Sequence, residues 1–168
     1  PERRQLAKTG VLRSAYMLGN GEEVMLAATD LLAETKVAPE LSNEAHYYRA
    51  KAYLDAGKVE GAMDDLKILA KDTRNIYGAE AKYKVAQIYF DAGQTGQAEK
   101  EVLDYIEVST PHTYWLARSF VLLSDVYMKL GRNLDAKQYL LSLKQNYQAD
   151  DDIAGMIESR LNKLNAEN

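Results

Sequence analysis

The chain has 168 residues, a net charge of −4 and no cysteine. Its acidic balance argues against a general nucleic-acid-binding surface, and the lack of cysteine excludes disulfides, thiolate metal ligands and cysteine nucleophiles. No apolar run approaches the roughly 20 residues that a membrane-spanning helix needs, so membrane insertion by this segment is not expected.

Apolar residues recur at helical spacing along the whole chain and predict nine helices. Turn residues separate the helices at Gly19-Asn20-Gly21, Gly57, 72–75, Gly93, 109–111 and Gly131. The predicted helices lie near residues 4–18, 22–35, 40–56, 59–72, 77–92, 95–108, 112–130, 133–147 and 151–164.

The first eight helices form a repeated pattern anchored on Gly19, Gly57, Gly93 and Gly131, which are spaced by 38, 36 and 38 residues. Each glycine is expected to end the first helix of a pair, where a positive φ is often required. Five residues after three of the glycines stands an alanine, whose small side chain lets the two helices approach; the first repeat has valine at this position. One such pair cannot bury its apolar faces alone, so neighbouring pairs must stack. The side chains at this position are Val24, Ala62, Ala98 and Ala136.

This pattern resembles the tetratricopeptide (TPR) repeat over roughly residues 6–147. The predicted repeats span about 4–37, 40–74, 77–110 and 112–147. The first is degenerate, with Ala15 where tyrosine is usual. The resemblance implies an all-α, right-handed α-solenoid of four stacked helix-turn-helix repeats, forming a single TPR-like domain over residues 1–168. It also implies buried tyrosines four residues before three of the glycines, at Tyr53, Tyr89 and Tyr127.

The ninth helix, 151–164, is predicted to cap the last repeat. One apolar stripe runs along it, formed by Ile153, Met156, Ile157, Leu161 and Leu164. No equivalent cap precedes the first repeat and the chain does not begin with Met, so we expect it to be the C-terminal part of a longer protein. The long repeats are similar in style to those of bacterial envelope proteins, such as the outer-membrane assembly lipoprotein. That similarity favours the cell envelope or periplasm over the cytoplasm.

The resemblance also implies a binding groove. In the family, residues ten, six and three positions before each glycine face a concave surface. Tyrosine and arginine are favoured at binding hot spots, so the expected function is a non-catalytic scaffold that binds another protein or a peptide. The alternative is a structural spacer whose groove positions are covered by neighbouring repeats. The predicted groove residues are Arg13, Tyr16, Tyr47, Lys51, Leu54, Tyr83, Gln87, Phe90 and Asp125; Thr9, Val121 and Met128 occupy the remaining positions of this pattern.

Catalytic and metal-binding patterns are not recognisable, and no cofactor or metal is expected. His46 and His112 lack a second histidine or a clustered carboxylate at helical spacing, and Asp64-Asp65 is expected to form a solvated face. The asparagine of the family's carboxylate clamp is missing, because the positions nine residues before each glycine hold other residues. Trp115 is either a packing residue or an exposed anchor for a partner. The clamp positions hold Gly10, Tyr48, Lys84 and Leu122.

Overall fold

The computed structural model describes residues 1–108 and 110–167, which form nine α-helices and no strand. Every predicted helix is present, and each end lies within three residues of its expected position. Ser109, part of one predicted turn, lies outside the described residues. The helices are α1 (Glu2–Met17), α2 (Gly21–Leu32), α3 (Pro39–Asp55), α4 (Val59–Leu69), α5 (Ile76–Asp91), α6 (Thr95–Glu107), α7 (Thr113–Lys129), α8 (Asn133–Asn146) and α9 (Ile153–Ala166).

The four anchoring glycines end α1, α3, α5 and α7 with positive φ, as predicted. Their φ angles lie between +70° and +78°, in the left-handed region that glycine adopts without a steric penalty. The turn after α3 shows the hydrogen bonding that this conformation permits. The Gly57 N–H donates to the Leu54 carbonyl at 3.1 Å, and the Lys58 N–H donates to the Tyr53 carbonyl at 2.8 Å.

The chain divides into two compact units, unit 1 (Pro1–Asp72) and unit 2 (Thr73–Asn168). Unit 1 contains two helical hairpins, α1–α2 and α3–α4, in which α3 packs against both α1 and α2. Unit 2 contains the hairpins α5–α6 and α7–α8, with α7 against both α5 and α6, and α9 against α7 and α8. The first helices of the two hairpins are therefore neighbours in each unit. The single domain over residues 1–168 stays a prediction.

The small residue after each glycine turn is buried in all four hairpins, as expected for closely packed helix pairs. The predicted tyrosine positions behave differently. Tyr127 is buried, whereas Tyr53 and Tyr89 are only half-buried, which corrects the expectation that all three fill the core. The ring of Tyr53 packs over Gly61 of its own hairpin, close to the solvated turn, and the Arg49 guanidinium lies 5.9 Å from its centroid.

Helix α9 caps unit 2 with the predicted stripe. Ile153, Ile157, Leu161 and Leu164 are buried, and Met156 is half-buried. The start of the helix is held by Asp151, whose Oδ1 accepts a hydrogen bond from the Ile153 N–H at 2.9 Å. The Tyr147 hydroxyl donates to the other carboxylate oxygen of Asp151 at 2.6 Å. Asp151 therefore connects the start of α9 to Tyr147, the residue that follows α8.

The expectation of a solvated Asp64–Asp65 face is wrong for Asp65, which is 1 % exposed. Its carboxylate accepts two hydrogen bonds from Arg49, at 2.7 and 2.9 Å, and lies 2.7 Å from the His46 Nδ1. Burial alone would raise the pKa of Asp65, but the hydrogen bonds and charges of His46 and Arg49 outweigh it and hold that pKa below its ordinary value. The cluster ties α3 to α4.

Candidate functional site

The predicted groove residues of unit 1 lie on α1 and α3 and form an aromatic surface. Tyr16 of α1 stacks on Tyr48 of α3, with ring centroids 3.9 Å apart and an interplanar angle of 14°. Tyr47 lies beside Tyr48 at 6.0 Å. The Lys51 Nζ lies 5.1 Å from the centre of the Tyr47 ring, within the range of a cation–π contact. We call Tyr16, Tyr47, Tyr48 and Lys51 the tyrosine ladder.

The tyrosine ladder borders an open pocket of about 540 Å³ between the C-terminal ends of α1 and α3. Tyr16, Tyr48 and Lys51 contribute to its wall, and the side chain of Tyr16 is exposed. Sequence reasoning missed Tyr48, because it considered that position only as a clamp asparagine. Its signal was the aromatic pair Tyr47-Tyr48 itself.

Arg13 and Leu54, the other two predicted residues of unit 1, offer less to a ligand. The Arg13 guanidinium forms a bidentate ion pair with Glu44 of α3, with distances of 2.6 and 2.8 Å. The positive charge of this predicted groove residue is therefore balanced within unit 1. Leu54 is half-buried and contributes only apolar surface.

In unit 2 the predicted residues Tyr83 and Gln87 of α5 face α7. Tyr83 is only 6 % exposed. Its hydroxyl donates to the Gln87 Oε1 at 2.8 Å, and the Gln87 amide donates to Asp91 at 2.8 Å. Desolvation raises the pKa of Tyr83, so the phenol stays neutral. The Tyr83 ring is therefore part of the packed core of unit 2 and presents little surface to solvent.

Two residues that the sequence did not assign to the groove cover the Tyr83 ring. Trp115 of α7 lies 5.6 Å away between centroids, and the Arg118 guanidinium carbon lies 5.1 Å from the centre of the tyrosine ring. Tyr114 completes the group with an edge-on contact to Trp115 at 5.0 Å. Trp115 is half-buried and packs against the core of unit 2.

The negative charge predicted at Asp125 is balanced by α9. Arg160 donates two hydrogen bonds to the Asp125 carboxylate, at 2.7 and 2.9 Å. Arg160 was missed because it lies on the cap, outside the repeat pattern. Asp125 and Phe90 border a depression of about 320 Å³ whose rim also carries Met128, Lys129 and Lys163.

A smaller cavity of about 100 Å³ lies between α5, α7 and α9. It is lined by Tyr83, Gln87, Arg118, Asp125, Met156 and Arg160, together with apolar side chains of α7. Within residues 1–108 and 110–167, no group of three or more His, Cys, Asp or Glu residues is placed to hold a metal ion. None of the helices in this part of the chain has the length and apolar character to cross a membrane.

Comparison with solved structures defines the fold class. The chain is similar to the crystal structure of a kinesin light chain-like protein of Podosopora anserina with nearly identical TPR-like repeats, with a TM-score of 0.57 at 16 % identity over 97 % of this chain and 94 % of that chain. The Q17M variant of that protein gives a TM-score of 0.60 at 15 % identity over 97 % and 93 %. No protein-family model and no curated protein matches the chain. The structure is therefore an all-α fold of TPR-like helical repeats.

Proposed function

We propose that the chain is a non-catalytic scaffold that binds another protein or a peptide through the faces formed by its first helices. The observation that carries this proposal is the tyrosine ladder beside its open pocket. Stacked tyrosines offer a large, rigid contact area that loses little side-chain entropy on binding. The fold supports the proposal, since exposed faces of helical repeats are suited to extended or helical peptides.

The contacts within unit 2 favour a second candidate, the structural spacer, for that part of the chain. Tyr83 is buried, and Asp125 is held by Arg160. Side chains committed to internal contacts contribute little to a ligand unless those contacts are broken. The two candidates therefore make different predictions: the scaffold binds a peptide through its first-helix face, whereas the spacer binds none.

A library of random dodecapeptides displayed on phage tests the proposal. Enriched sequences are synthesised and titrated into the purified chain by calorimetry. Tyr16→Ala is expected to weaken binding by about tenfold or more, since hot-spot aromatics carry a large share of the binding free energy. Lys51→Glu is expected to weaken it as well, because it removes the cation beside Tyr47.

Lys100→Glu is the matched control, since it makes the same charge reversal at an exposed site. Lys100 lies on α6, which is the second helix of its hairpin and so is not part of the proposed binding face. Circular dichroism shows whether each variant keeps its helical content. If no peptide is enriched, or the Tyr16 and Lys51 variants bind as tightly as the native chain, the first-helix face of unit 1 is not the binding surface and the spacer is favoured.

A further inference from the structure

The outward side of α1 forms an open apolar surface. Val11 is 52 % exposed and Leu18 is 83 % exposed. Together with the exposed small residues Ala7, Gly10 and Ser14, they line an open groove of about 630 Å³. We call these five residues the α1 face. No residue of the tyrosine ladder lines this groove, so the α1 face is separate from the surface proposed to bind a peptide.

The α1 face differs from the equivalent faces of α3 and α7. Nine residues before the glycine, those helices carry a large side chain, Tyr48 or Leu122, which packs within its own unit. In α1 this position is Gly10, and a Cβ added there would meet nothing within 4 Å. Because Ala7 and Ser14 on either side are also small, another helix can approach α1 more closely than large side chains would allow. The α1 face therefore suits direct contact with a second helix.

Opposite charges lie at the two ends of the α1 face. Arg3 continues the stripe at one end, because it stands four residues before Ala7 on the same helix. Glu22 and Glu23 begin α2 at the other end, where Glu23 lines the groove together with Leu18. Arg3, Glu22 and Glu23 are exposed, and none of them forms an ion pair with another residue in the described part of the chain.

We infer that the α1 face binds the α1 face of a second copy of the chain, with the two α1 helices antiparallel. A two-fold axis at Gly10 makes the same surface complementary to itself, as in an isologous dimer. Arg3 lies about 10 Å along the helix axis from Gly10, so the antiparallel arrangement brings Arg3 of each copy toward Glu23 of the other. A parallel arrangement would instead bring like charges together, which is unfavourable.

Sedimentation equilibrium of the purified chain over a range of concentrations tests the inference. The native chain is expected to be a reversible dimer. Val11→Glu should raise the dimer dissociation constant about tenfold or more, because it buries a carboxylate of each copy without a partner. Leu134→Glu is the matched control, since it places the same charge at a position on α8 that is 71 % exposed, and it should leave the dissociation constant unchanged. Circular dichroism shows that each variant stays folded.

Charge reversal tests the antiparallel direction. Arg3→Glu and Glu23→Lys should each weaken self-association severalfold, because each places like charges together at both ends of the dimer. A mixture of the two variants should dimerise again, since each chain then offers the other an opposite charge at both ends. Failure of the mixture to dimerise more tightly than either variant alone overturns the antiparallel arrangement.

Single-cysteine variants test the contact at Gly10, because the chain has no cysteine of its own. In a glutathione redox buffer, Gly10→Cys is expected to form a disulfide-linked dimer. Gly155→Cys is the matched control, at an exposed position on α9 with equally open space around an added Cβ, and it should form much less. A chain that stays monomeric at all concentrations, or a dimer that Val11→Glu does not weaken, overturns the inference. The first result would leave the α1 face to a different polypeptide, and neither would affect the proposed function.

Discussion

At the scale of single residues, charged groups are matched across neighbouring helices. Lys82, which is buried in α5, reaches both Glu101 and Asp104 of α6 at 2.5 Å. Such a pair contributes little by itself, but removing one member leaves the other uncompensated. The pairs therefore fix which helices meet more than they add free energy. The pairs that connect different helices include Arg13–Glu44, Arg49–Asp65, Lys82–Glu101 and Arg160–Asp125.

Asp65→Asn is predicted to lower the free energy of unfolding by about 3 kcal/mol at neutral pH, because it leaves Arg49 without its carboxylate. The folded state holds the pKa of Asp65 below its ordinary value of 3.8. The folded chain thus binds this proton less tightly than the unfolded chain does. The carboxylate stabilises the fold above the ordinary pKa, and this contribution is lost as the pH falls through the lowered value.

Urea unfolding of the native chain and of Asp65→Asn at descending pH measures this effect. The difference between the two is expected to shrink as the pH drops below about 4. Asp64→Asn is the control, because Asp64 is adjacent but exposed, and its effect should stay within about 0.5 kcal/mol. A difference for Asp65→Asn that does not change with pH would contradict the assignment of the ionised carboxylate.

At the scale of helices, the glycine turns are the most sharply defined feature. Gly93→Ala is predicted to destabilise the fold by about 1–2 kcal/mol, because φ at this position is +78°. Gly10→Ala is predicted to stabilise it by up to about 1 kcal/mol, since Gly10 lies inside α1 with open space around an added Cβ. Thermal melting of both variants tests whether the melting temperature falls for Gly93→Ala and rises for Gly10→Ala. Two shifts of the same sign would mean that one of these backbone assignments is wrong.

Ala98→Leu tests the close approach of α5 and α6. Ala98 is fully buried, so three extra carbon atoms are expected to cost about 1–3 kcal/mol through overpacking. Gln97→Leu adds a leucine at the neighbouring exposed position and should change stability by no more than about 0.5 kcal/mol. Chemical denaturation gives both values. An unchanged stability for Ala98→Leu would indicate that the hairpin has space at this position.

The helices and turns could be predicted because their signals are local. Glycines at a fixed spacing, a small residue five positions later and a helical apolar pattern all act within one hairpin. The partners of Asp65, Asp125 and Arg118 could not be predicted, because they lie on other helices at separations that no repeat rule sets. The burial of Tyr53 was overestimated for a related reason, since its position in the repeat does not show how far the ring lies from the solvated turn.

At the scale of the whole molecule, α9 determines how unit 2 ends. Leu161→Ala is predicted to lower the free energy of unfolding by about 2–5 kcal/mol, because Leu161 is 6 % exposed within the apolar stripe of α9. Leu134→Ala on α8 is the control at a position that is 71 % exposed, and its effect should be within about 0.5 kcal/mol. Equal effects in thermal melts would show that α9 is not packed against unit 2.

The position of Trp115 gives this molecule its own optical reporter. It is the only tryptophan among 168 residues, and it lies within contact of Tyr83, Tyr114 and Arg118. Its indole emission, excited beyond the absorption of the twelve tyrosines, therefore comes from one known site in unit 2. Any rearrangement of these three side chains around the indole would change the intensity and wavelength of that emission without any attached dye.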